Sequence, residues 1–328
     1  MDYSKYALIL MTTFNGELYL EEQLQSIINQ TYTEWRLIIN DDGSQDRTIS
    51  IIEKYMHEDS RILGVHKNDR PRGAYNNYFS LIDYAKKKYE SKFGYYFYCD
   101  QDDIWMKDKI EREISVLSFR KMAVCYSDVE FINYEGKKIG LRASQLRKMN
   151  VGNKYDFLFV FRYMLGTSMA HDKEIWNMIQ IPPIFEKNEI KHDQYIRKIG
   201  ALLGEIVYIP EPLVMYRRHA NNVSKNIEQY NAISAVKKGI CNFSSIISNT
   251  ADHFYEAEIL IAKIPDVNEV ISDYRKAIHF NGKYACKFLK KYKISISDNY
   301  FEKGVYKLLF VSGIYKLSKE YKRLHGLL

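Results

Sequence analysis

The sequence predicts an α/β fold, a mostly parallel sheet flanked by helices, followed by a separate C-terminal helical region. Three observations predict it. Short apolar runs alternate with amphipathic helical stretches up to about residue 120. The polar clusters Thr12–Asn15, Asp41–Ser44 and Asp100–Asp103 each follow an apolar run directly, where a parallel sheet gathers its ligands. From about Ser224 the chain becomes helical in pattern, rich in Lys and Tyr, and free of motifs.

Taken in order, Tyr6–Met11 reads as a buried strand and Thr12–Gly16 as a turn. Leu20, Leu24, Ile27 and Ile28 put one apolar face on a helix over Glu17–Gln30. Arg36–Asn40 is a second strand, running into Asp41-Asp42-Gly43-Ser44, and a helix follows over Thr48–Met56. Arg61–His66 gives a third strand. Tyr75, Phe79 and Ile82 line a helix over Gly73–Tyr89. Tyr95–Cys99 is the fourth strand, and Ile110, Ile114 and Leu117 mark a helix over Lys107–Phe119. Such alternation builds right-handed βαβ units. After Ala123 the pattern changes. Two strands are expected at Ala123–Ser127 and Val129–Asn133, a turn at Tyr134–Lys138 and a helix around Lys154–Tyr163. Pro182-Pro183 breaks the chain. Ile190–Ile199 is helical, and Glu205–Ile209 and Leu213–Tyr216 are short strands around Pro210 and Pro212. The boundary falls near 220–228, giving a domain over 1–223, with halves dividing near 120, and a helical region over 224–328.

Composition narrows the classes. With 46% hydrophobic and 27% charged residues in 328, the chain can bury a large core. Lys and Arg exceed Asp and Glu by 48 to 41, a net charge of +7 that favours an anionic partner. No basic stripe interleaved with aromatics occurs in the first two-thirds, which argues against nucleic acid. The four cysteines are widely spaced with no CxxC, so reduced thiols in a cytoplasmic protein are expected. The opening apolar run is too short to span or export. The 28 tyrosines suit half-wet surfaces such as sugar and nucleotide sites.

The acidic cluster carries the chemistry. Asp100-Gln101-Asp102-Asp103 follows the strand-like run Phe93–Cys99. Three carboxylates within four residues repel one another and are costly to desolvate. A hard divalent cation, sharing oxygen ligands with a diphosphate, supplies the missing counter-charge. A solvated acidic turn is the alternative. Helix capping accounts for Ser44 or Asp46 but not for three carboxylates together.

Six segments in order resemble the family 2 nucleotide-sugar glycosyltransferases, whose fold is GT-A, over roughly residues 5–222. They are Thr13-Phe14-Asn15-Gly16 with Glu21-Glu22-Gln23-Leu24; Asn40-Asp41-Asp42-Gly43-Ser44; Asp100-Gln101-Asp102-Asp103-Ile104-Trp105; Gly166-Thr167-Ser168-Met169-Ala170; His192-Asp193; and Tyr216-Arg217-Arg218-His219 with Asn222. The acidic segment is most similar to the bacterial polysaccharide branch, where rhamnosyltransferases are common. The resemblance implies a metal-dependent, inverting transfer of a sugar from a nucleotide-diphosphate donor to a hydroxyl of a growing, lipid-linked surface polysaccharide. The donor would be a UDP-hexose or dTDP-rhamnose. Asp41 would read the base, with Thr13 and Asn15 lining that pocket and Asp42 serving either the pocket or the turn. Asp100 would face the ribose. Asp102, with Asp100 and His219, would hold Mn2+ or Mg2+, and Asp103 would lie in or just behind that shell. Asp193 would be the general base, although its place at a helix start also suits a cap. Arg217 or Arg218 would offset phosphate charge, and Arg72 and Asn77 would approach the diphosphate, though the stretch around them fits the family pattern only loosely. His192 would support the base. Trp105 stacks on a sugar or plugs the core.

The tail stands outside the resemblance. Over 303–328, Lys303, Lys307, Lys316, Lys319, Lys322 and Arg323 face Glu320 alone, interleaved with Leu308, Leu309, Val311, Ile314, Leu317 and Leu324. A basic amphipathic helix suits the anionic inner face of a membrane. It also suits packing on the catalytic domain of its own chain or on a second subunit of a homo-oligomer, with a solvated basic face. A non-catalytic nucleotide-sugar or glycan binding module is the rival function, and the intact Asp100, Asp102 and Asp193 argue against it. A nucleotidyltransferase would call for a glycine-rich phosphate loop after the first strand, and Thr12–Gly16 is not one.

Overall fold

The sheet grows outward from β1, Ala7–Thr13, in which every residue is buried, as a strand covered on both faces requires. In this computed structural model the described residues are 3–146, 149, 152–159, 164–181, 191–220, 222, 243–296 and 300–326. β1 pairs in parallel with β2 (Trp35–Asp41) and β4 (Tyr95–Asp100), and β2 with β3 (Ile62–Lys67). The helices α1 (Leu20–Ile28), α2 (Thr48–Glu58) and α3 (Ala74–Tyr89) make the crossovers. In register, Thr13 lies opposite Asp41 and Thr12 opposite Asp100. Three polar clusters from distant parts of the chain therefore emerge at one edge.

Beyond β4 the sheet is mixed. Among the described residues its order is β3-β2-β1-β4, then β8 (Met169–Asp172), β6 (Ala123–Ile132), β9 (Glu205–Arg217) and β5 (Ile104–Trp105), with β7 (Lys138–Arg142) beside β6. β5 (Ile104–Trp105) precedes α4 (Lys109–Leu117), and β6 is Ala123–Ile132. β7 (Lys138–Arg142) leads into the short α5 (Ala143–Leu146). β8 (Met169–Asp172) runs antiparallel to both β4 and β6. α6 (Lys173–Met178) and α7 (His192–Leu203) lead to β9 (Glu205–Arg217), which pairs in parallel with β6 and antiparallel with β5.

Two pairs of expected strands are each one strand. β6 runs through Asp128, and β9 runs through Pro210 and Pro212. The register between them shifts around Asp128, from Ser127 opposite Ile209 to Asp128 opposite Pro212. That irregularity absorbs prolines, which have no N–H to give a ladder. β5 and β8 carry no strand signal in sequence. β8 is Met-Ala-His-Asp, yet all four residues are buried. Its His171 is held between the Tyr98 hydroxyl, which donates to Nε2 at 2.8 Å, and the Asp172 carbonyl, which accepts from Nδ1 at 2.8 Å. That network needs a neutral ring, and burial drives the His171 pKa down to about 3. Nearby, Tyr96 stacks on Trp176 at 4.1 Å. Lys109 and Glu113 form a fully buried ion pair at 2.6 Å, and burial raises the glutamate to about 7.

The chain divides into two compact units, 1–150 with 163–219, and 151–162 with 220–328. In the second unit, Lys154–Leu158 is a 3-10 turn capped by Asn153, not the expected α-helix; residues 160–163 lie outside the described set. Helices Phe243–Lys263, Glu269–Phe280, Gly282–Lys291, Tyr300–Ser312 and Lys319–Leu324 surround a core of Phe254, Tyr274, Phe288, Phe310 and Tyr315. Phe254 and Phe310 stack at 5.0 Å. Among the described residues no helix is long and apolar enough to cross a membrane. Pro182-Pro183 and most of the expected boundary at 220–228 lie outside the described residues.

Candidate active site

The strand ends build the site. Gln101 clamps the loop after β1: its amide donates to the Phe14 carbonyl at 2.9 Å and accepts from the Phe14 N–H at 2.8 Å. Gly16 lies beneath that clamp, and a Cβ there would stand 2.3 Å from Gln101 Oε1. Asn15 takes a left-handed φ of 46°, accepts from the Gln45 N–H at 2.9 Å and donates its own N–H to Ser44 Oγ at 2.9 Å. The loops after β1, β2 and β4 are thus locked together by their own hydrogen bonds.

Asp41 organises the second loop. Its Oδ1 accepts from the N–H groups of Gly43 and Ser44 at 2.9 and 2.7 Å. Its Oδ2 accepts from the hydroxyls of Thr13 and Ser44 at 2.7 and 2.6 Å. A carboxylate offers about four acceptor directions, and here all four are used. Asp42 accepts from Asn68 Nδ2 at 2.7 Å and from the Gly73 N–H at 2.8 Å, so it fixes the start of α3. Asn77 is 2% exposed and donates to the Asn40 and Thr13 carbonyls at 3.1 and 3.3 Å. It ties α3 to β1 and β2 from inside the core. Arg72 is exposed, donates to the Gly43 carbonyl at 3.0 Å and covers the half-exposed Phe14 ring at 5.1 Å.

The acidic loop divides its labour. Asp100 is part-buried and accepts from the Tyr78 hydroxyl at 2.9 Å. Burial, then the Asp102 and Asp193 charges, raise it to about 7, against the pull of the Tyr78 hydrogen bond. Asp102 meets His219 Nε2 at 2.7 Å. Asp103 is fully buried and accepts the Arg217 N–H at 3.0 Å. Burial, with Asp102 and Asp100 beside it, pushes its pKa well above the carboxylate range. It supports the loop from below. Trp105 is 2% exposed and plugs the core there.

Asp193 sits inside the first turn of α7, where Lys191 occupies the cap position, and its Oδ1 accepts the Gln194 N–H at 2.6 Å. Its charge acts on Asp100, so the two carboxylates share one neighbourhood. His192 beside it is 5% exposed and stacks on Tyr78 at 3.7 Å. Burial lowers its pKa to about 4.

Arg217 is bonded to the protein itself. It is 1% exposed, with its guanidinium donating to the Asp102 and Tyr134 carbonyls at 2.8 and 3.1 Å and to the Glu22 carboxylate. The sequence reading missed Tyr78, which holds Asp100, and Glu22, which holds Arg217. Glu22 lies in the Glu21–Leu24 segment of the family pattern, and Tyr78 reads as one more aromatic on an apolar helix.

Asp102 and His219 are the residues that would hold a divalent cation, supplying two of the ligands such an ion takes. Among the described residues no three His, Cys, Asp or Glu side chains converge as an all-protein cage. Asp100 is turned to Tyr78 instead.

The fold and this edge define the class: a GT-A nucleotide-sugar transferase. Solved structures of the same fold include Staphylococcus aureus TarS 1-349 in complex with UDP-GlcNAc, with a TM-score of 0.55, 16% identity, and 99% of this chain and 84% of that chain covered. GalNAc-T7 with UDP, GalNAc and Mn2+ matches at a TM-score of 0.52 and 13% identity, over 97% and 58% of the two chains. The model of "Glycosyl transferase family 2" matches residues 8–176, just over half of the chain. The chain belongs to that family and is a glycosyltransferase using nucleotide-sugar donors. It is 32% identical over 224 residues to the dTDP-rhamnosyl transferase RfbG of Shigella flexneri, covering 66% of this chain and 74% of the relative. It is 30% identical over 125 residues to an Escherichia coli UDP-Glc:alpha-D-GlcNAc-diphosphoundecaprenol beta-1,3-glucosyltransferase, WfgD, covering 38% and 46%.

Proposed function

We propose that this chain is a metal-dependent, inverting glycosyltransferase that moves a sugar from dTDP-rhamnose or a UDP-hexose to a hydroxyl of a lipid-linked bacterial surface polysaccharide. The observation that carries the reading is the convergence of Asp100, the Asp102–His219 pair and Asp193 at one sheet edge. Clustered carboxylates at a strand edge favour a bound cation. The relatives named as dTDP-rhamnosyl and UDP-Glc transferases support the donor class, and the diphosphoundecaprenol acceptor of one supports a lipid-linked acceptor. The domain from 1 to 223 performs the transfer, its first half holding the nucleotide and its second the acceptor.

The nucleoside lies against the Thr13–Asn15 loop and the Asp41–Ser44 turn, with the exposed faces of Phe14 and Arg72 beside it. Asp100 accepts from the ribose. Asp102 and His219 would hold Mg2+ or Mn2+, whose charge would offset that of the diphosphate leaving group. Asp193 takes the proton of the acceptor hydroxyl as that oxygen attacks the anomeric carbon from the opposite side. The configuration inverts because the displacement is single. The basic tail, with Leu308 and Leu317 61% and 72% exposed, meets the anionic cytoplasmic face of the membrane where such acceptors reside.

The test is thermal shift with UDP, dTDP, GDP and CDP sugars, with and without Mn2+. A metal-dependent shift with UDP or dTDP is expected. Asp102→Asn abolishes both transfer and that shift, whereas Asp193→Asn abolishes transfer and keeps it. A folded wild-type chain with no shift overturns the donor site; an active Asp193→Asn overturns the base.

A further inference from the structure

The end of β9 and the two residues after it are tied to the acidic loop by a device that the chemistry above does not use. Arg217 reaches three segments at once: the acidic loop, the turn at Tyr134 and α1. Its Nε meets the Asp102 carbonyl at 2.8 Å, one terminal nitrogen meets the Tyr134 carbonyl at 3.1 Å, and the other meets Glu22 on α1. Its backbone N–H meets Asp103 Oδ1 at 3.0 Å. The Tyr19 ring lies 4.6 Å from the guanidinium and 4.9 Å from the His219 ring, so it packs against both. His219 follows two residues later and meets Asp102.

We propose that Arg217, held by Glu22 and Tyr19, is a positioning residue that preforms the Asp102–His219 metal seat. This rests on the metal-dependent transfer proposed above. The physical need is plain. The three carboxylates of the acidic loop repel one another, and His219 lies past the last ladder residue of its strand. Left alone, the loop relaxes to spread its charges and His219 swings with the chain end. A buried guanidinium bonded to the main chain of Asp102 and carrying His219 two residues away fixes both ligands to one rigid fork. Its own charge is compensated by Glu22, whose side chain is 54% exposed, and by the Tyr19 face. A lysine in its place would have no planar fork, so Arg217→Lys is not conservative here.

The experiment titrates Mn2+ into the full chain with saturating UDP or dTDP and reads free Mn2+ by electron paramagnetic resonance. Nucleotide affinity without metal is measured in parallel. Arg217→Met is expected to weaken Mn2+ binding at least tenfold and to change metal-free nucleotide affinity less than twofold. Arg217→Lys and Glu22→Gln weaken Mn2+ in the same direction by smaller factors, and adding Glu22→Gln to Arg217→Met adds less than twofold. A phosphate-binding arginine gives the opposite pattern: metal-free nucleotide affinity falls in Arg217→Met, and Glu22→Gln leaves it unchanged or tighter. That pattern, or Mn2+ affinity within twofold of wild type in Arg217→Lys and Glu22→Gln, overturns the proposal, and these two variants decide it if Arg217→Met fails to fold. Wild-type protein that binds no Mn2+ with either nucleotide overturns the metal-dependent reading itself as well.

Discussion

Replacing Gly166 with alanine tests whether Asp193, the proposed base, is held by packing. A Cβ at Gly166 would stand 2.5 Å from His192 Nε2 and 3.2 Å from its Cε1. Ordinary contact begins near 3.4 Å, so the ring must retreat by about 1 Å. It has little room to do so: Tyr78 stacks on it at 3.7 Å and the residue is 5% exposed. The displacement passes into the backbone of α7, and Asp193 is the next residue. A misplacement of about 1 Å at a reacting group costs on the order of 100-fold in rate. Overpacking of this kind costs about 1–3 kcal/mol in stability. The expected result is a fall in kcat of about 100-fold with donor affinity nearly unchanged, read by transfer kinetics and by nucleotide-sugar binding in the same preparation. In a His192→Ala background the ring is gone, and Gly166→Ala then costs under about threefold, a non-additivity that places the clash between these two residues. Full activity in Gly166→Ala, or an equal loss in both backgrounds, refutes the reasoning.

His171 makes stability depend on acid. Its folded pKa is depressed to about 3 from 6.5, so its contribution is complete above pH 6.5 and is lost as the pH falls toward 3. Between pH 8 and pH 5 the unfolded chain gains a proton that the folded chain refuses, a loss of about 2 kcal/mol. Denaturant melts should therefore show wild type losing about 2 kcal/mol more than His171→Gln over that range, and equal losses count against a buried neutral ring. Gly204→Ala would place a Cβ 1.7 Å from the Met122 carbonyl oxygen, which is backbone and cannot yield. It should destabilise by about 3 kcal/mol or more, and an unchanged melting temperature would contradict the close approach of α7's end to β6.

Local patterns were legible wherever one residue's environment follows from its neighbours in sequence. The alternation of apolar runs and amphipathic helices located β1 to β4 and the helices between them, because a strand buried on both faces must be continuously apolar. The clusters Thr12–Asn15, Asp41–Ser44 and Asp100–Asp103 were visible for the same reason: polar residues directly after buried runs mark the ends of strands. β8 was not legible, since Met-Ala-His-Asp becomes a strand only through its partners β4 and β6. Nor was the continuity of β9 across two prolines, which depends on an irregular register in the strand beside it.

The division of labour among the site residues was decided by tertiary structure alone. The sequence determined that carboxylates, a histidine and arginines would gather at one edge of a sheet. It could not determine which of them remain available. Asp41, Asp42, Asn77 and Arg217 spend their hydrogen-bonding capacity on the protein itself, and Asp103 is sealed beneath the loop. Asp100, Asp102, Asp193 and His219 keep at least partial access to solvent. The reason is physical. A side chain's chemistry is set by its residue type, but whether its donors and acceptors are already satisfied depends on groups up to 195 positions away, as between Glu22 and Arg217, and only the folded chain brings those together.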